Sequence, residues 1–238
     1  YGALLNGATL CPMNVKANGF AAIGSWLELE RISIYHSTPT VYREFLRSQP
    51  AGKRFPAVRL VVLGGEPVTR SDVEAFNRHF AEGTTLINGL GPTESTVTLQ
   101  NFIRHGDELP IGPVSVGTAV GSTEVLLLDE HGRLAEVEGE LAFCSDHLAL
   151  GYWRRPDQDE VAFHFHPLDA TRRIYRTGDL ARRNPSGAFH YLGRKDLQVK
   201  VNGVRIELEE IEHAVERLAE VRQCVSLAQT DSSEKAII

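Results

Sequence analysis

The chain has 238 residues, 42% of them hydrophobic and 24% charged, and a formal net charge of −6 at pH 7. These values suit a soluble protein of one or two domains, and the scattered basic residues form no long basic stripe, so we expect no nucleic-acid partner. No apolar run approaches the roughly 18 residues of a membrane span, and Cys11, Cys144 and Cys224 are widely spaced, which favours free thiols in a reducing compartment. We therefore expect a cytoplasmic protein without a membrane partner.

The two ends of the chain fall in the middle of a pattern. Residues 1–5 open on an apolar stretch without an initiator Met, and residues 236–238 stop in what looks like a strand. We therefore expect this sequence to be an excerpt of a longer protein.

Helical and strand-like segments alternate from the start of the chain. Apolar residues at helical spacing predict a helix over residues 18–29, and a short strand is expected over residues 31–35. Thr38 followed by Pro39 is typical of a helix start, and this helix is expected to run through about Arg47.

The alternation continues to residue 87. The continuous apolar run at residues 59–63 predicts a strand covered on both faces. Thr69 and Asp72 resemble a capping box for a helix that ends near Phe80, and a strand over residues 84–87 follows. This order predicts an α/β fold with a parallel layer over residues 1–110, whose ligand crevice lies at the carboxyl ends of the strands.

Glycine-rich turns follow two of these strands. They are residues 64–67 (Gly-Gly-Glu-Pro) and residues 88–94 (Asn-Gly-Leu-Gly-Pro-Thr-Glu). Gly permits close approach of the backbone and Pro fixes φ, so N–H groups beside Thr93 and Glu94 would cradle a phosphate and its divalent cation. We expect both turns on one edge of the sheet. Taken alone, the second segment is more typical of a surface turn.

From residue 111 the pattern changes to short β-like runs. They cover residues 124–129, 139–144, 173–176 and 188–192, and they predict a small antiparallel, barrel-like β subdomain over residues 111–195. A strand over residues 197–201, a turn at Asn202-Gly203 and an amphipathic helix over residues 208–218 follow. We expect residues 196–238 to be the start of a small α+β lid.

Three later strings, taken together with residues 88–94, resemble those of one family. They are residues 175–180 (Tyr-Arg-Thr-Gly-Asp-Leu), 193–200 (Gly-Arg-Lys-Asp-Leu-Gln-Val-Lys) and 202–212 (Asn-Gly-Val-Arg-Ile-Glu-Leu-Glu-Glu-Ile-Glu). In this order they resemble the adenylation domains of nonribosomal peptide synthetases, within the superfamily of AMP-forming acyl and aminoacyl ligases. The resemblance covers residues 4–224. It implies ATP- and Mg²⁺-dependent activation of an amino acid or related carboxylic acid as acyl-AMP, followed by transfer to the phosphopantetheine thiol of a carrier protein, with neighbouring synthetase domains.

The resemblance also assigns roles to individual residues. Thr93 would contact the α-phosphate and Glu94 would orient Mg²⁺, which makes them the catalytic candidates. Asp179 would accept the ribose hydroxyls, and Arg194 would reach ribose and phosphate oxygens through its planar guanidinium. Taken without the family, Asp179 equally suits a turn cap and Arg194 a surface ion pair. The other nucleotide-binding candidates are Gly64, Gly65, Glu66, Asn88, Gly89, Leu90, Gly91, Tyr191 and Lys200, of which Lys200 equally suits a solvated position.

Further roles concern the lid and the substrate. Asp196 matches the hinge residue of the family, whose backbone rotation swings the lid between two arrangements. Leu90 stands where the family usually has an aromatic residue, which leaves apolar contact with the base but no stacking. Residues 139–141 and 150–153 match another family string, which we interpret as structural. The candidates for the acyl-substrate pocket are His36, Val62, Gly64, Gly89, Val97 and Thr98.

Two other functions stay open. An acyl- or aryl-CoA ligase of the same superfamily ranks second, because residues 198–200 and 205–208 are more similar to the peptide-synthetase form. A degenerate nucleotide-binding module without chemistry is the other, and Leu90 is the feature that favours it. The resemblance further implies that a phosphate loop with its lysine lies upstream and a lid lysine lies downstream, so we expect this chain alone to be catalytically inactive.

Overall fold

Two β-sheets organise the protein. The computed structural model describes residues 2–109, 114–196, 198–201, 204–218, 221, 223–227, 229–230 and 236–237. The first sheet contains β1 (Ile34–Ser37), β2 (Leu60–Gly64), β3 (Thr85–Leu90), β4 (Leu99–Arg104) and β5 (Thr118–Ala119), in that spatial order. β1, β2 and β3 pair in parallel, whereas β4 and β5 add antiparallel pairs. The predicted parallel α/β layer is therefore confirmed, with an antiparallel extension.

Five helices accompany the first sheet in the described residues: α1 (Gly2–Leu5), α2 (Val15–Asn18), α3 (Ala22–Leu29), α4 (Pro39–Arg47) and α5 (Arg70–His79). The start of α4 is as predicted, with Pro39 in its first turn, and the capping box of Thr69 and Asp72 is present at α5. The single helix predicted over residues 18–29 is wrong at its start, because Gly19 has a φ of 79° and separates α2 from α3. The strand predicted from residue 31 begins only at residue 34, since Arg31 has a left-handed φ of 49°.

β3 is longer than the sequence indicated. The strand was expected to end at residue 87, but Asn88, Gly89 and Leu90 continue the ladder opposite residues 101, 100 and 99 of β4. An Asn-Gly turn signal is local, whereas an antiparallel partner strand satisfies backbone donors and acceptors over the whole length of a strand. The loop after β3 therefore contains only residues 91–98.

The second sheet is antiparallel. It contains β6 (Glu124–Leu128), β7 (Leu134–Ala135), β8 (Glu138–Cys144), β9 (Phe163–His166), β10 (Asp169–Arg183) and β11 (Phe189–Arg194), and α6 (Pro156–Ala162) precedes β9. The strand order is β11-β10-β8-β6-β7, with β9 paired to β10. The predicted antiparallel part is confirmed, and among the described strands its path is open instead of closing into a barrel. The short strand predicted over residues 173–176 is the middle of the 15-residue β10.

The two sheets are joined through shared core residues. One cluster packs α4 and α5 against the first sheet and includes Tyr42, Phe45 and Phe76. In the second cluster, Leu99 of β4 packs with Phe143, Tyr175 and other residues of the second sheet. Backbone hydrogen bonds of 2.9 and 2.8 Å also link residues 116 and 117 to Phe189. This junction brings the loop after β3 close to β10.

The end of the chain forms a hairpin and a helix. β12 (Gln198–Val201) pairs with β13 (Val204–Glu207), followed by α7 (Leu208–Glu216), β14 (Gln229–Thr230) and β15 (Ala236–Ile237). The predicted turn at residues 202–203 lies outside the described residues, and the division at residues 110 and 195 stays a prediction. The longest helix in the described ranges, α5, has ten residues, and none of these helices has the length and apolar character to cross a membrane.

Candidate functional site

The carboxyl ends of β2 and β3 bring the two glycine-rich segments side by side. Gly64 pairs with Gly89 in the parallel register. A Cβ built on Gly64 would lie only 3.1 Å from the carbonyl oxygen of Gly89, whereas a Cβ on Gly89 would lie 3.7 Å from that of Leu63. Of these two glycines, Gly64 therefore has less room for a side chain. The expectation that both segments meet at one edge of the sheet is confirmed.

The loop over residues 91–98 is closed at its base. Leu90 O accepts hydrogen bonds from both the N–H and the hydroxyl of Thr98, at 3.0 and 3.2 Å. A Cβ at Gly91 would overlap the carbonyl of Thr96, so the two sides of the loop approach more closely than any other residue allows. At the tip of the loop Thr93 is exposed, and Glu94 is 8% exposed.

Glu94 is held by a loop of the second sheet. The phenol of Tyr152 donates a hydrogen bond of 2.6 Å to Glu94 Oε1, and the N–H of Ala149 donates one of 2.7 Å to Glu94 O. The ring of Tyr152 packs edge-on against Phe163, with 5.7 Å between ring centroids. Burial raises the pKa of Tyr152, and the bond to Glu94 raises it further. The phenol therefore stays protonated and acts as the donor.

Residues 177–179 bulge out of β10. Arg176 pairs with Ala142 of β8 and Leu180 with Glu140, so the β10 side carries extra residues between these pairs. The Thr177 hydroxyl accepts from Asp179 N at 2.9 Å and donates to Leu141 O at 2.8 Å. Bulges re-aim side chains next to binding sites, and this one places Asp179 beside β11.

Arg194 of β11 is the centre of a charged cluster. Its Nη1 donates to Asp179 Oδ1 at 3.0 Å and to Thr177 O at 2.9 Å. Its Nε and Nη2 donate to the two carboxylate oxygens of Asp196 at 2.6 and 2.5 Å. Burial lowers the pKa of Arg194, but the bond to Asp196 and the charge of Asp179 outweigh burial and raise it overall. One guanidinium thus connects the predicted ribose ligand with the predicted hinge.

A buried carboxylate, that of Glu140, holds the residues next to this cluster in place. Glu140 is 4% exposed. Its Oε1 accepts from Gly178 N at 3.0 Å, and its Oε2 accepts from Arg176 Nη2 at 2.5 Å and Lys195 Nζ at 2.7 Å. Burial raises the pKa of Glu140, but the hydrogen bonds and charges of Arg176 and Lys195 prevail and lower it overall. Glu140 therefore fixes both the bulge and the residue before Asp196.

A cavity of about 610 Å³ lies between these groups. Glu94 and Tyr152 line one part of it, and Arg194 and Asp196 line another. Thr93 and Asp179 are not among the residues that line the cavity: Asp179 lies beside it, in an ion pair with Arg194, and Thr93 is the exposed chain neighbour of Glu94. Ligand pockets typically measure about 300 to 1,000 Å³, so the cavity has the size of a small-molecule site.

Several other nucleotide-binding candidates have clear structural contacts. Asn88 is 2% exposed and donates to Ser115 O at 2.8 Å. Glu66 Oε2 accepts from the N–H and hydroxyl of Thr40 at 2.8 and 2.7 Å, at the start of α4. Leu90 and Tyr191 pack against the second core cluster; burial, followed by the charge of Asp179, raises the pKa of Tyr191 to about 12. Gly65 follows β2 with a φ of 88°, and the side chain of Lys200 lies outside the described residues.

Most substrate-pocket candidates share one face of the first sheet. His36 pairs with Val62, and Gly64, two residues after Val62, pairs with Gly89. Alternation along strands places these four positions on the same face. A Cβ on Gly89 would lie 3.9 Å from Val97 Cγ1, which adds Val97 to the face. Thr98 is fully buried and bonded to Leu90 O, so it does not line this face.

The oxygen donors at the loop tip fit a magnesium ion. Protein sites for Mg²⁺ usually supply one or two carboxylates and leave the remaining positions to water and substrate phosphates. Glu94 supplies a carboxylate and Thr93 a hydroxyl. The described residues contain no group of three or more His, Cys, Asp or Glu that could hold a metal, so a site here would need the phosphates of a ligand.

Sequence reasoning missed three residues of the site: Tyr152, Glu140 and Lys195. The first two lie in residues 150–153 and 139–141, which we interpreted as structural. One signal was available, since Glu140 directly precedes the apolar run of residues 141–144 and a buried carboxylate is costly unless it is paired. The contact between Tyr152 and Glu94 joins residues 58 positions apart and has no local signal.

The fold is that of an α/β protein, with a cavity between the loop at the carboxyl end of β3 and the second, antiparallel sheet. A protein-family model described as "AMP-binding enzyme" matches residues 1–153, and the chain belongs to this family.

Known proteins of this kind give a more specific resemblance. Surfactin synthase subunit 1 of Bacillus subtilis (strain 168) is 36% identical over 236 residues, which cover 96% of the chain and 6% of the relative. The Vibrio cholerae adenylation domain AlmE, in complex with glycyl-adenosine-5'-phosphate, matches with a TM-score of 0.77 and 27% identity over 92% of the chain and 42% of that protein. PA1221, a synthetase protein containing adenylation and PCP domains, matches with a TM-score of 0.81 and 28% identity over 98% of the chain and 41% of that protein. The chain thus resembles part of the adenylation domain of nonribosomal peptide synthetases.

Proposed function

We propose that the protein belongs to an enzyme that activates an amino acid or related carboxylic acid with ATP and Mg²⁺, forming acyl-AMP and pyrophosphate. The acyl group is then transferred to the phosphopantetheine thiol of a carrier protein in nonribosomal peptide synthesis, in the cytoplasm and beside neighbouring synthetase domains. The observation that carries this proposal is that Glu94 and Arg194, from different sheets, line one cavity with Asp179 held against Arg194.

The reaction needs positioning and neutralisation of charge on the phosphate. A substrate carboxylate oxygen attacks the α-phosphorus, and the bond to the pyrophosphate oxygen breaks. When bound, Mg²⁺ supplies positive charge to the phosphate oxygens. Thr93 donates its hydroxyl to the α-phosphate, and the buried carboxylate of Glu94 fixes the cation site.

Asp179 and Arg194 hold the sugar side of the nucleotide. A carboxylate accepts two hydroxyl hydrogen bonds, and a guanidinium donates through a planar fork to ribose and phosphate oxygens. The bulge at residues 177–179 supports this role because it presents Asp179 beside Arg194. The glycines at positions 64, 65, 89 and 91, together with Glu66, Asn88, Leu90, Tyr191 and Lys200, complete the proposed nucleotide site.

Asp196 is the proposed hinge of the lid. The residues before it are tied to the second sheet, since Lys195 N donates to Gly178 O at 2.9 Å and Arg194 binds Thr177 O. Rotation of the backbone at Asp196 would therefore move only the hairpin and helix that follow. Arg194 forms ion pairs with both Asp179, the proposed ribose ligand, and Asp196. One side chain therefore connects the proposed nucleotide site to the proposed hinge.

The acyl substrate occupies the face formed by His36, Val62, Gly64, Gly89 and Val97. Two glycines opposite each other leave space above the sheet, which suits a sizeable side chain. Thr98, the remaining pocket candidate, would act indirectly, since it is buried and its N–H and hydroxyl both bind Leu90 O beside this face.

An exchange assay tests the proposed reaction. An adenylating enzyme incorporates labelled pyrophosphate into ATP when its acid substrate is present. We expect exchange from a protein that includes this chain with its flanking segments, and none from the 238 residues alone. Robust exchange from residues 1–238 would contradict the second expectation. No exchange from the larger protein with any acid of a broad panel would contradict the first.

The acceptor thiol is tested separately. The similarity to PA1221 supports a carrier protein as acceptor, because PA1221 contains adenylation and PCP domains. Acylation of a phosphopantetheinylated carrier protein with no acyl-CoA formation is the expected result. Formation of acyl-CoA instead would favour a CoA ligase.

A further inference from the structure

We propose that Tyr152 is a positioning residue for Glu94 and thereby for a divalent cation bound with the nucleotide; this inference rests on the proposed function. Tyr152 lies in a segment that the sequence marked as structural. Nothing in the proposed reaction has so far used it, although it lines the same cavity as Glu94 and Arg194.

The contact between the two side chains is short and directional. The Tyr152 phenol donates to Glu94 Oε1 at 2.6 Å, a distance typical of a hydrogen bond to a charged acceptor. The same loop also binds the backbone of Glu94, through the 2.7 Å bond from Ala149 N to Glu94 O. Side chain and main chain of Glu94 are therefore both located by residues 149–152.

The phenol is itself fixed from two sides. Tyr152 N donates to Asp159 Oδ1 of α6 at 2.7 Å, and its ring packs on Phe163. Gly151 makes this approach possible, because a Cβ there would lie 2.5 Å from Asp159 Oδ2. The hydroxyl is thus pre-positioned, and forming its bond to Glu94 requires little further ordering.

This arrangement matters for a cation because Mg²⁺ demands near-ideal octahedral geometry. A carboxylate that supplies one ligand must present it in a single orientation. The groups around a metal ligand typically change metal affinity by about 10- to 100-fold when they are removed. Because Tyr152 is partly exposed and water can replace its hydroxyl, we expect an effect of about tenfold.

The test compares nucleotide binding with and without metal. Dissociation constants of ATP are measured by calorimetry in excess EDTA and in excess Mn²⁺ on a protein that includes this chain with its flanking segments, as the original protein, Tyr152→Phe, Glu94→Gln and the double variant. We expect Tyr152→Phe to weaken binding about tenfold in Mn²⁺ and to leave binding in EDTA unchanged. The double variant should bind as Glu94→Gln does, because Tyr152 acts through Glu94.

Tyr42→Phe is the matched control. It removes a tyrosine hydroxyl too, in this case a buried one that donates to Asp72 O at 3.2 Å in the first sheet layer. It should leave the ratio of the dissociation constants in EDTA and Mn²⁺ unchanged. Equal Mn²⁺ effects in Tyr152→Phe and the original protein would overturn the inference and leave the proposed function intact. The same holds if Tyr152→Phe weakens binding equally in EDTA. No ATP binding by the original protein would overturn both.

Discussion

Glu140→Gln is the change that most directly probes the charged support of the site. The substitution keeps the size of the side chain and an oxygen for Gly178 N, but it removes the negative charge shared by Arg176 and Lys195. Removing one partner of a buried ion pair typically costs about 3–5 kcal/mol. The side chains of Arg176 and Lys195 are 22% and 43% exposed, so water compensates part of the loss and we expect about 2–3 kcal/mol.

Thermal unfolding followed by circular dichroism measures this effect. For a chain of this size, about 1 kcal/mol corresponds to roughly 2–4 °C in Tm, so Glu140→Gln should lower Tm by about 4–12 °C at pH 7. The pKa of Glu140 is lowered from 4.5 by folding. Its stabilising contribution is therefore present above pH 4.5 and is lost as the pH falls through the folded pKa, so the difference in Tm should shrink in acid.

Glu138→Gln on the same strand is the control. Its partner Arg182 is 60% exposed and Glu138 itself is 51% exposed, and such surface pairs contribute about 0–1 kcal/mol. If Glu140→Gln lowers Tm no more than Glu138→Gln does, or if its effect does not depend on pH, the reasoning about the buried cluster is refuted.

Three further outcomes are expected. Gly91→Ala should destabilise the protein by more than about 3 kcal/mol in chemical denaturation, because the new Cβ would overlap the Thr96 carbonyl. Gly89→Ala, where the nearest contact of the new Cβ is 3.7 Å, should cost about 1 kcal/mol or less. Equal losses of stability in the two variants would contradict this expectation. Arg194→Lys should weaken ATP binding about tenfold, because an ammonium cannot reproduce the planar fork; unchanged affinity in calorimetry would argue against a role for the guanidinium. Gly178→Ala should lower Tm, because Gly178 has a φ of 74° and its Cβ would overlap Arg194; an unchanged Tm would contradict that reading of the bulge.

The sequence predicted the parts of the fold that depend on local chemistry. Proline at the start of α4 and the capping box of Thr69 and Asp72 act within one turn of helix, so both helix starts were read correctly. The end of β3 was not, because its continuation to Leu90 depends on pairing with β4. The open path of the second sheet likewise depends on which strands pair, and a local sequence pattern does not predict that.

The residues of the site divide in the same way, into those with a local signal in the sequence and those whose role depends on distant contacts. The resemblance of several short strings to one family indicated Glu94, Asp179 and Arg194, and the structure brings Glu94 and Arg194 to one cavity with Asp179 against Arg194. Tyr152 and Glu140 were missed because their roles arise from contacts with residues 58 and 36 positions away. Spacing along the chain carries no information about such contacts.

The nucleotide site is tested by determining the structure of the chain in complex with AMP. We expect electron density for AMP in the cavity, with the ribose hydroxyls at Asp179, the phosphate towards Thr93 and Glu94, and the guanidinium of Arg194 against the nucleotide. Density for AMP elsewhere on the protein, with this cavity filled by water alone, would contradict this expectation.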